Sequence, residues 1–142
     1  MTTSTLGSRV ESHPDHAWLT QMSSAVDRQS IEENLRFLAP DVRFRFGNGE
    51  FIVGHAALRQ GLAQFYAAIA GLRHDLVGIW RQDDVLAVEA EVTYTRLDGT
   101  DVAVPVLSLM RLAGPHLVAD HRVFFDLAPV FASPPPVTAP EG

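Results

Sequence analysis

From Leu72 onward the chain settles into one period. Four long segments alternate apolar and polar residues: Leu72–Arg81, Val85–Leu97, Val102–Leu112 and Leu117–Leu127. The breaks between them are short and built from turn formers: Gln82-Asp83-Asp84, Asp98-Gly99 and Ala113-Gly114-Pro115. Long strands joined by such tight turns can pair only as antiparallel neighbours. The first half has the other period. Trp18, Met22 and Val26 step by four through a predicted helix over Asp15–Val26, and Leu58, Leu62, Phe65 and Ile69 stripe a second over His55–Ala70, with Gly71 placed as its C-terminal cap. Ser30-Ile31-Glu32-Glu33 fits a capping box opening a short helix over Ile31–Leu38, with Pro40 just past its end. A small hairpin, Val42–Phe46 and Phe51–Val53, turns at Gly47-Asn48-Gly49. Helices first and long strands last predict an α+β fold. The expected form is a cone-shaped curved antiparallel β-sheet packed against three N-terminal helices, with an internal cavity.

At 142 residues the chain has room for one domain with a single core. Residues 1–14 read as a flexible N-terminal arm, 15–131 as the domain, and 132–142 as a disordered Pro-rich tail. The start of the chain has no apolar segment of the signal-peptide kind and no run long enough to span a bilayer. A cytoplasmic protein without membrane contact is therefore expected. Net charge is −6 with no basic cluster, which argues against nucleic acid as a partner. There is no cysteine, which removes disulfides, thiolate nucleophiles and Cys metal sites. All 11 basic residues are arginine, so no lysine can form a Schiff base. The arginine, alanine, valine and proline bias suits a GC-rich bacterial genome. His55, His74, His116 and His121 are scattered without ligand spacing, and no Gly-rich phosphate loop or GxSxG elbow is present. Neither metal nor cofactor is expected.

The segment LAVEAEVTYTRLDG, residues 86–99, poses the central question. Leu86, Val88, Ala90, Val92 and Tyr94 share one face; Glu89, Glu91, Thr93 and Thr95 share the other. Alternation alone favours the valines as core and the glutamates in solvent.

The element order, and the segments FLAPDVRFRFGNGEFIVG, GLRHDL, EVTYTRLDG and HRVFFDLAP, resemble the nuclear transport factor 2-like superfamily, and within it the SnoaL-like polyketide cyclase group. The resemblance implies the cone fold and a cavity enzyme or binding protein, without naming a reaction. Limonene-type epoxide hydrolases would need Arg and Asp where Glu89 and Glu91 stand, a second Asp at Val123, and Tyr and Asn at Phe44 and Phe46. Ketosteroid isomerases would need an acid near Arg45-Phe46 and a protonated Asp at Ser108. Scytalone-type dehydratases would match Asp27 and His74 but not Val26, Phe46 or Thr95. SnoaL-like cyclases imply a cavity carboxylate beside a histidine, for which Asp126 is nearest by motif but lies out of phase with His121, Val123 and Phe125.

The family register turns Glu89 and Glu91 inward and Val88, Ala90 and Val92 outward, against a second subunit. On that register Glu91 is the general acid/base, since a carboxylate in an apolar cavity can hold and pass a proton. His74, His121 and Asp27 are the other catalytic candidates. Each has a plainer alternative: His74 bonded to Asp75 at a strand start, His121 a satisfied core histidine, Asp27 a capping residue. Glu89, Trp80, Phe46, Phe65, Tyr66, Thr93, Ser108, Val123 and Phe125 are candidate substrate contacts. The function implied is cofactor-free acid/base chemistry (aldol-type cyclisation, isomerisation or dehydration) on an apolar oxygenated small molecule, in a homodimer joined through the outer sheet face. A non-catalytic binding or scaffold protein of the same fold, or a divergent epoxide hydrolase, is the alternative.

Overall fold

The computed structural model describes residues 10–132. Helix α1 spans His16–Asp27, α2 Ile31–Leu35, α3 His55–Ala67 and α4 Ala128–Phe131; strands are β1 Leu38–Phe46, β2 Ile52–Val53, β3 Gly71–Gln82, β4 Val85–Thr95, β5 Asp101–Gly114 and β6 Leu117–Phe124. One six-stranded curved sheet runs in the order β2-β1-β6-β5-β4-β3, with the helices packed against it. The α+β cone of the sequence reading is the observed fold, with one difference. β1 and β6 pair in parallel, which only a long connection permits, and the whole of β2 to β5 supplies it. No helix among the described residues is long and apolar enough to cross a membrane.

Residues 10–14, read as part of the arm, already belong to the fold: Val10–Ser12 form a 3₁₀ turn and Val10 is buried. The rest of the arm and residues 133–142 of the tail lie outside the described residues. The capping box does not form. Ser30 makes no side-chain cap bond; its amide donates to the Ala25 carbonyl, the Glu33 carboxylate is taken by Arg28, and the Ser30 carbonyl accepts the Asn34 amide. Helix α3 ends at Ala67 with Ala68 as its cap, and Gly71 instead opens β3. Helix α4 was not expected; Asp126 starts it by accepting the Ala128 amide at 3.0 Å.

Strand β4 is paired along its full length with β3 and with β5. Leu86, Val88, Ala90, Val92 and Tyr94 are all buried on its inner face. Glu91 is exposed and Glu89 half-buried on the other. The inward placement of Glu89, Glu91 and Thr93 is therefore overturned, as is the outward placement of Val88, Ala90 and Val92. The physical reason is plain: five apolar side chains gain a core position, and the alternative would bury two carboxylates. Trp80 was read in phase with His74. A bulge between Leu76 and Gly78 adds one residue to β3, so Leu76 faces Ala90 inside while Gly78 and Trp80 sit outside, opposite Glu89 and Ala87. The indole lies across Gly78, where a Cβ would come within 2.5 Å of it. Pro105 is tolerated in β5 because β6 pairs only from Leu107 onward.

If β4 has these faces, Leu86→Ala should cost about 2–5 kcal/mol. Glu91→Gln should stay within about 0.5 kcal/mol. Urea unfolding of the two variants checks the assignment, and a large loss for Glu91→Gln would reverse it.

Candidate active site

Helix α1 begins and ends against β3. At its start the buried Asp15 carboxylate accepts hydrogen bonds from Trp18 Nε1 at 2.7 Å and from Arg81 at 3.0 and 3.1 Å. Burial alone would raise the Asp15 pKa, but the Trp18 and Arg81 hydrogen bonds and the Arg81 charge outweigh it and hold the group below its ordinary value. At the other end Asp27, the last residue of α1, accepts from the His74 backbone amide at 3.0 Å and from His74 Nδ1 at 2.6 Å. The carboxylate therefore fixes the ring. With Nδ1–H donated to Asp27, Nε2 is the ring nitrogen left free of that contact. Asp75, the alternative partner for His74, points to the outer face and pairs with Arg73 at 3.5 Å.

Between α1, the helices that follow and the inner sheet face lie two adjoining cavities of about 70 and 60 Å³. His74, Ser108 and His121 line both. His121 is 9% exposed, with Nε2 3.1 Å from Ser108 Oγ and Nδ1 without a hydrogen-bond partner among the described residues. Burial pushes its pKa down to about 4, against a raising effect of Asp120 and with a smaller lowering from His74. At neutral pH His121 is thus an uncharged imidazole. It is a poor base for activating Ser108, and no third group orients it, so a nucleophilic serine finds no support here. Tyr66 is pushed up to about 12 by burial and by the Asp27 charge, and its hydroxyl has no partner among the described residues. Tyr94 is raised by burial, then by Tyr66 and Asp27. Both phenols remain protonated donors near the carboxylate.

The aromatic wall is continuous. Phe46 stacks on Phe65 at 5.2 Å and on Phe125 at 5.9 Å, Phe44 meets Phe46 and His121 edge-on at 4.8 Å each, and Phe65 meets Tyr94 at 6.0 Å. Of the candidate residues, the fold brings together Asp27, His74, Ser108, His121, Val123, Phe46, Phe65 and Tyr66, with Phe125 behind Phe46. It does not bring Glu89, Glu91, Thr93 or Trp80 to them; Glu89 and Trp80 share an outer-face groove with Leu107 and Phe124. Tyr94 and Asn34 were missed. Tyr94 could have been found, since it shares the valine phase of β4. Asn34, buried in a five-residue helix with its Oδ1 unpartnered among the described residues, carries no sequence signal.

The SnoaL-like domain pattern matches residues 19–121, from the first core turn of α1 to His121. The chain belongs to the SnoaL-like family. Solved structures agree on the fold of this SnoaL-like domain. An NTF2-like protein of unknown function from Burkholderia pseudomallei superposes with a TM-score of 0.75 at 16% identity, covering 84% of this chain and 98% of its own. A candidate SnoaL-like polyketide cyclase from Jannaschia gives 0.69 at 16% identity, covering 94% and 99%. A protein of ketosteroid isomerase-like fold from Catenulispora acidiphila, solved with trimethylamine, gives 0.73 at 20% identity, covering 81% and 89%. No curated protein matches the sequence significantly. At these identities the likeness speaks for the fold of the SnoaL-like chain and leaves its chemistry to the residues in the cavity.

The buried histidine of this SnoaL-like domain makes its stability depend on pH. The unfolded chain protonates His121 near its ordinary 6.5, while the fold resists protonation until about 4. Its contribution is whole above pH 6.5 and is lost as pH falls toward 4, by about 2–3 kcal/mol. His121→Gln should lose less stability than the parent between pH 7.5 and 4.5 in urea titrations; equal losses would show that His121 is not the group responsible.

Proposed function

We propose that this chain is a cofactor-free acid/base enzyme for a compact, largely apolar, oxygenated small molecule. His74 is the base and Asp27 the residue that positions it. The observation that carries this reading is the Asp27–His74 contact at 2.6 Å, which commits Nδ1 and leaves Nε2 at an apolar cavity. In the reaction, Nε2 accepts a proton from a carbon beside a carbonyl, and the electron pair moves onto the carbonyl oxygen. Uncharged donors answer the negative oxygen: the Tyr66 hydroxyl and, in its Nδ1–H tautomer, His121. Return of the proton at another carbon is an isomerisation. Attack of the enolate carbon on a second carbonyl closes a ring. Loss of a β-hydroxyl, which leaves as water after taking a proton, is a dehydration. Cavities of this size favour one ring over several. The Jannaschia neighbour, a candidate polyketide cyclase, is in keeping with the chemistry. Glu91 has no part in it, and an epoxide hydrolase reading loses both of its β4 positions, Glu89 and Glu91, to the outer face. A cytoplasmic setting is kept as part of the proposal.

The test is deuterium uptake from D₂O, followed by NMR, with a panel of compact cyclic enones and β-hydroxy ketones. The parent should catalyse exchange or water loss with at least one of them. His74→Gln should cost about 10²–10⁴-fold in kcat. Asp27→Asn should lower kcat with little change in KM, and Glu91→Gln should leave both unchanged. Full activity of a folded His74→Gln variant would end the proposal. Binding without exchange by the parent would favour the second reading, a ligand-binding protein, which the trimethylamine complex of the Catenulispora neighbour supports.

The proposal extends to a second copy of the chain on the outer sheet face. Trp80, Leu107 and Phe124 are 43%, 39% and 42% exposed there, with Ala87 and Pro105 beside them. One corner is basic: Arg43, Arg111 and Arg122 flank the Asp120 carboxylate, and Arg45 sits opposite Arg122. Three of these guanidinium groups crowd the Phe51 ring at 4.1–5.3 Å, and Arg45 Nε is buried without a partner among the described residues. The opposite side, on β4, carries Glu89 and Glu91. A two-fold axis through the apolar middle sets each basic corner on the partner copy's acidic side, as an isologous interface requires. Sedimentation at micromolar concentration should show a dimer. Glu89→Arg with Glu91→Arg should weaken it about tenfold or more, and adding Arg45→Glu with Arg122→Glu should restore it. A parent monomer would exclude this interface.

A further inference from the structure

The two cavities differ in what lines them, and this difference describes the ligand. The larger is aromatic and polar: Phe44, Phe46, Phe65, Tyr66 and Tyr94 surround it, with Asn34 at its wall. Two of its polar atoms, Asn34 Oδ1 and Tyr66 Oη, are buried without hydrogen-bond partners among the described residues. The smaller is aliphatic: Leu19, Leu76, Val88, Ala90 and Met110 line it, with Ser23 the one polar residue that belongs to it alone. Met22, Val26, His74, Val106, Ser108 and His121 line both, so the two histidines stand at the junction.

We infer that the ligand is bipartite: a flat, unsaturated, hydroxylated head in the aromatic chamber and a short alkyl tail in the aliphatic one. The inference rests on the proposed site and goes further by dividing it into two subsites. The head follows from the chemistry of the wall. Stacked rings on several sides select a planar π system. A buried Asn34 carbonyl without a donor calls for a ligand hydroxyl, and a buried Tyr66 hydroxyl calls for a ligand oxygen. The tail follows from the aliphatic walls that the second chamber alone has: away from the junction a polar substituent would meet only Ser23 and lose its hydration with little to replace it. A volume of about 60 Å³ has room for roughly four water-sized groups, enough for a short alkyl chain. The atom that joins head to tail then lies beside His74 and His121, where the proposed proton transfer takes place. Ala90 gauges the tail. It is the smallest side chain in the second chamber, flanked on β4 by Val88 and Val92, so enlarging it shortens the chamber without touching the head.

The probes are phenol and 4-methyl-, 4-ethyl- and 4-propylphenol, titrated calorimetrically against the full chain. Affinity should rise about fourfold for each added carbon through propyl. In Ala90→Phe the series should be flat while the affinity for phenol itself is unchanged. Ala90→Leu, a smaller change that keeps the fold if phenylalanine does not, should stop the gain after methyl or ethyl. A flat series in the parent, or an undiminished gain in both Ala90 variants, overturns the two-subsite inference. These outcomes are separate from those of the acid/base reading, because phenols bind without reacting. Loss of exchange in His74→Gln with a flat phenol series would sink the subsites alone. A steep series with His74-independent exchange would sink the base alone.

Discussion

Helix α1 is tied to strand β3 at both ends by a carboxylate, and the cavity exists because of it. Asp15 holds Arg81 near the end of β3, and Asp27 holds His74 near its start. The helix therefore runs antiparallel to the strand at a set distance, with Trp18, Leu19, Met22 and Ala25 pressed inward. Neither tie is an exposed ion pair of the kind that contributes little. The Asp15 side chain is 8% exposed, and both Asp27 oxygens are used, one by a ring and one by the backbone. One of the two ties does a second job. A bond that anchors the roof of the cavity also selects the tautomer of the histidine that opens into it, so structure and chemistry here share one contact.

The fold was legible in the sequence because it rests on period and punctuation. Four alternating segments and their turns gave the long strands, and the helical stripes gave the layer over them. What escaped were departures from period that no local signal announces. The extra residue between Leu76 and Gly78 moved Trp80 from cavity to surface, and the parallel pairing of β1 with β6 depends on closure of the whole sheet. In the site, His74, Asp27 and His121 were legible as candidates, but the contact that unites the first two spans 47 residues and could be seen only in three dimensions. Glu91 shows the opposite failing. The alternation of β4 had the right answer, and the register borrowed from relatives displaced it. A strand paired on both edges cannot exchange its faces, and five apolar residues against two carboxylates leave no doubt which way it turns.

The interior carries a cost that a purely structural core would shed. Asn34 Oδ1, Tyr66 Oη and His121 Nδ1 are buried without partners among the described residues. Each such atom costs on the order of 1–3 kcal/mol. All three line the same chamber, and among apolar walls they are the groups a ligand could satisfy. Grouping matters more than number. Unsatisfied atoms scattered through a core are defects, whereas three gathered around one space beside a fixed histidine describe a complement that has yet to arrive.

That grouping also decides how acid and base divide the work. Both carboxylates of β4 lie outside, and the one carboxylate bound to a cavity-lining side chain, Asp27, is engaged twice by His74. The cavity itself is left with imidazoles and phenols. His121 is kept uncharged by burial, and the tyrosines are held protonated by burial and by the Asp27 charge. One negative charge thus does opposite things to its neighbours: it orients the imidazole it touches and keeps nearby phenols from ionising. Separating a proton acceptor from proton donors usually takes two environments. Here a single half-buried aspartate at the end of α1 produces the separation, which is why the site can do without Glu91.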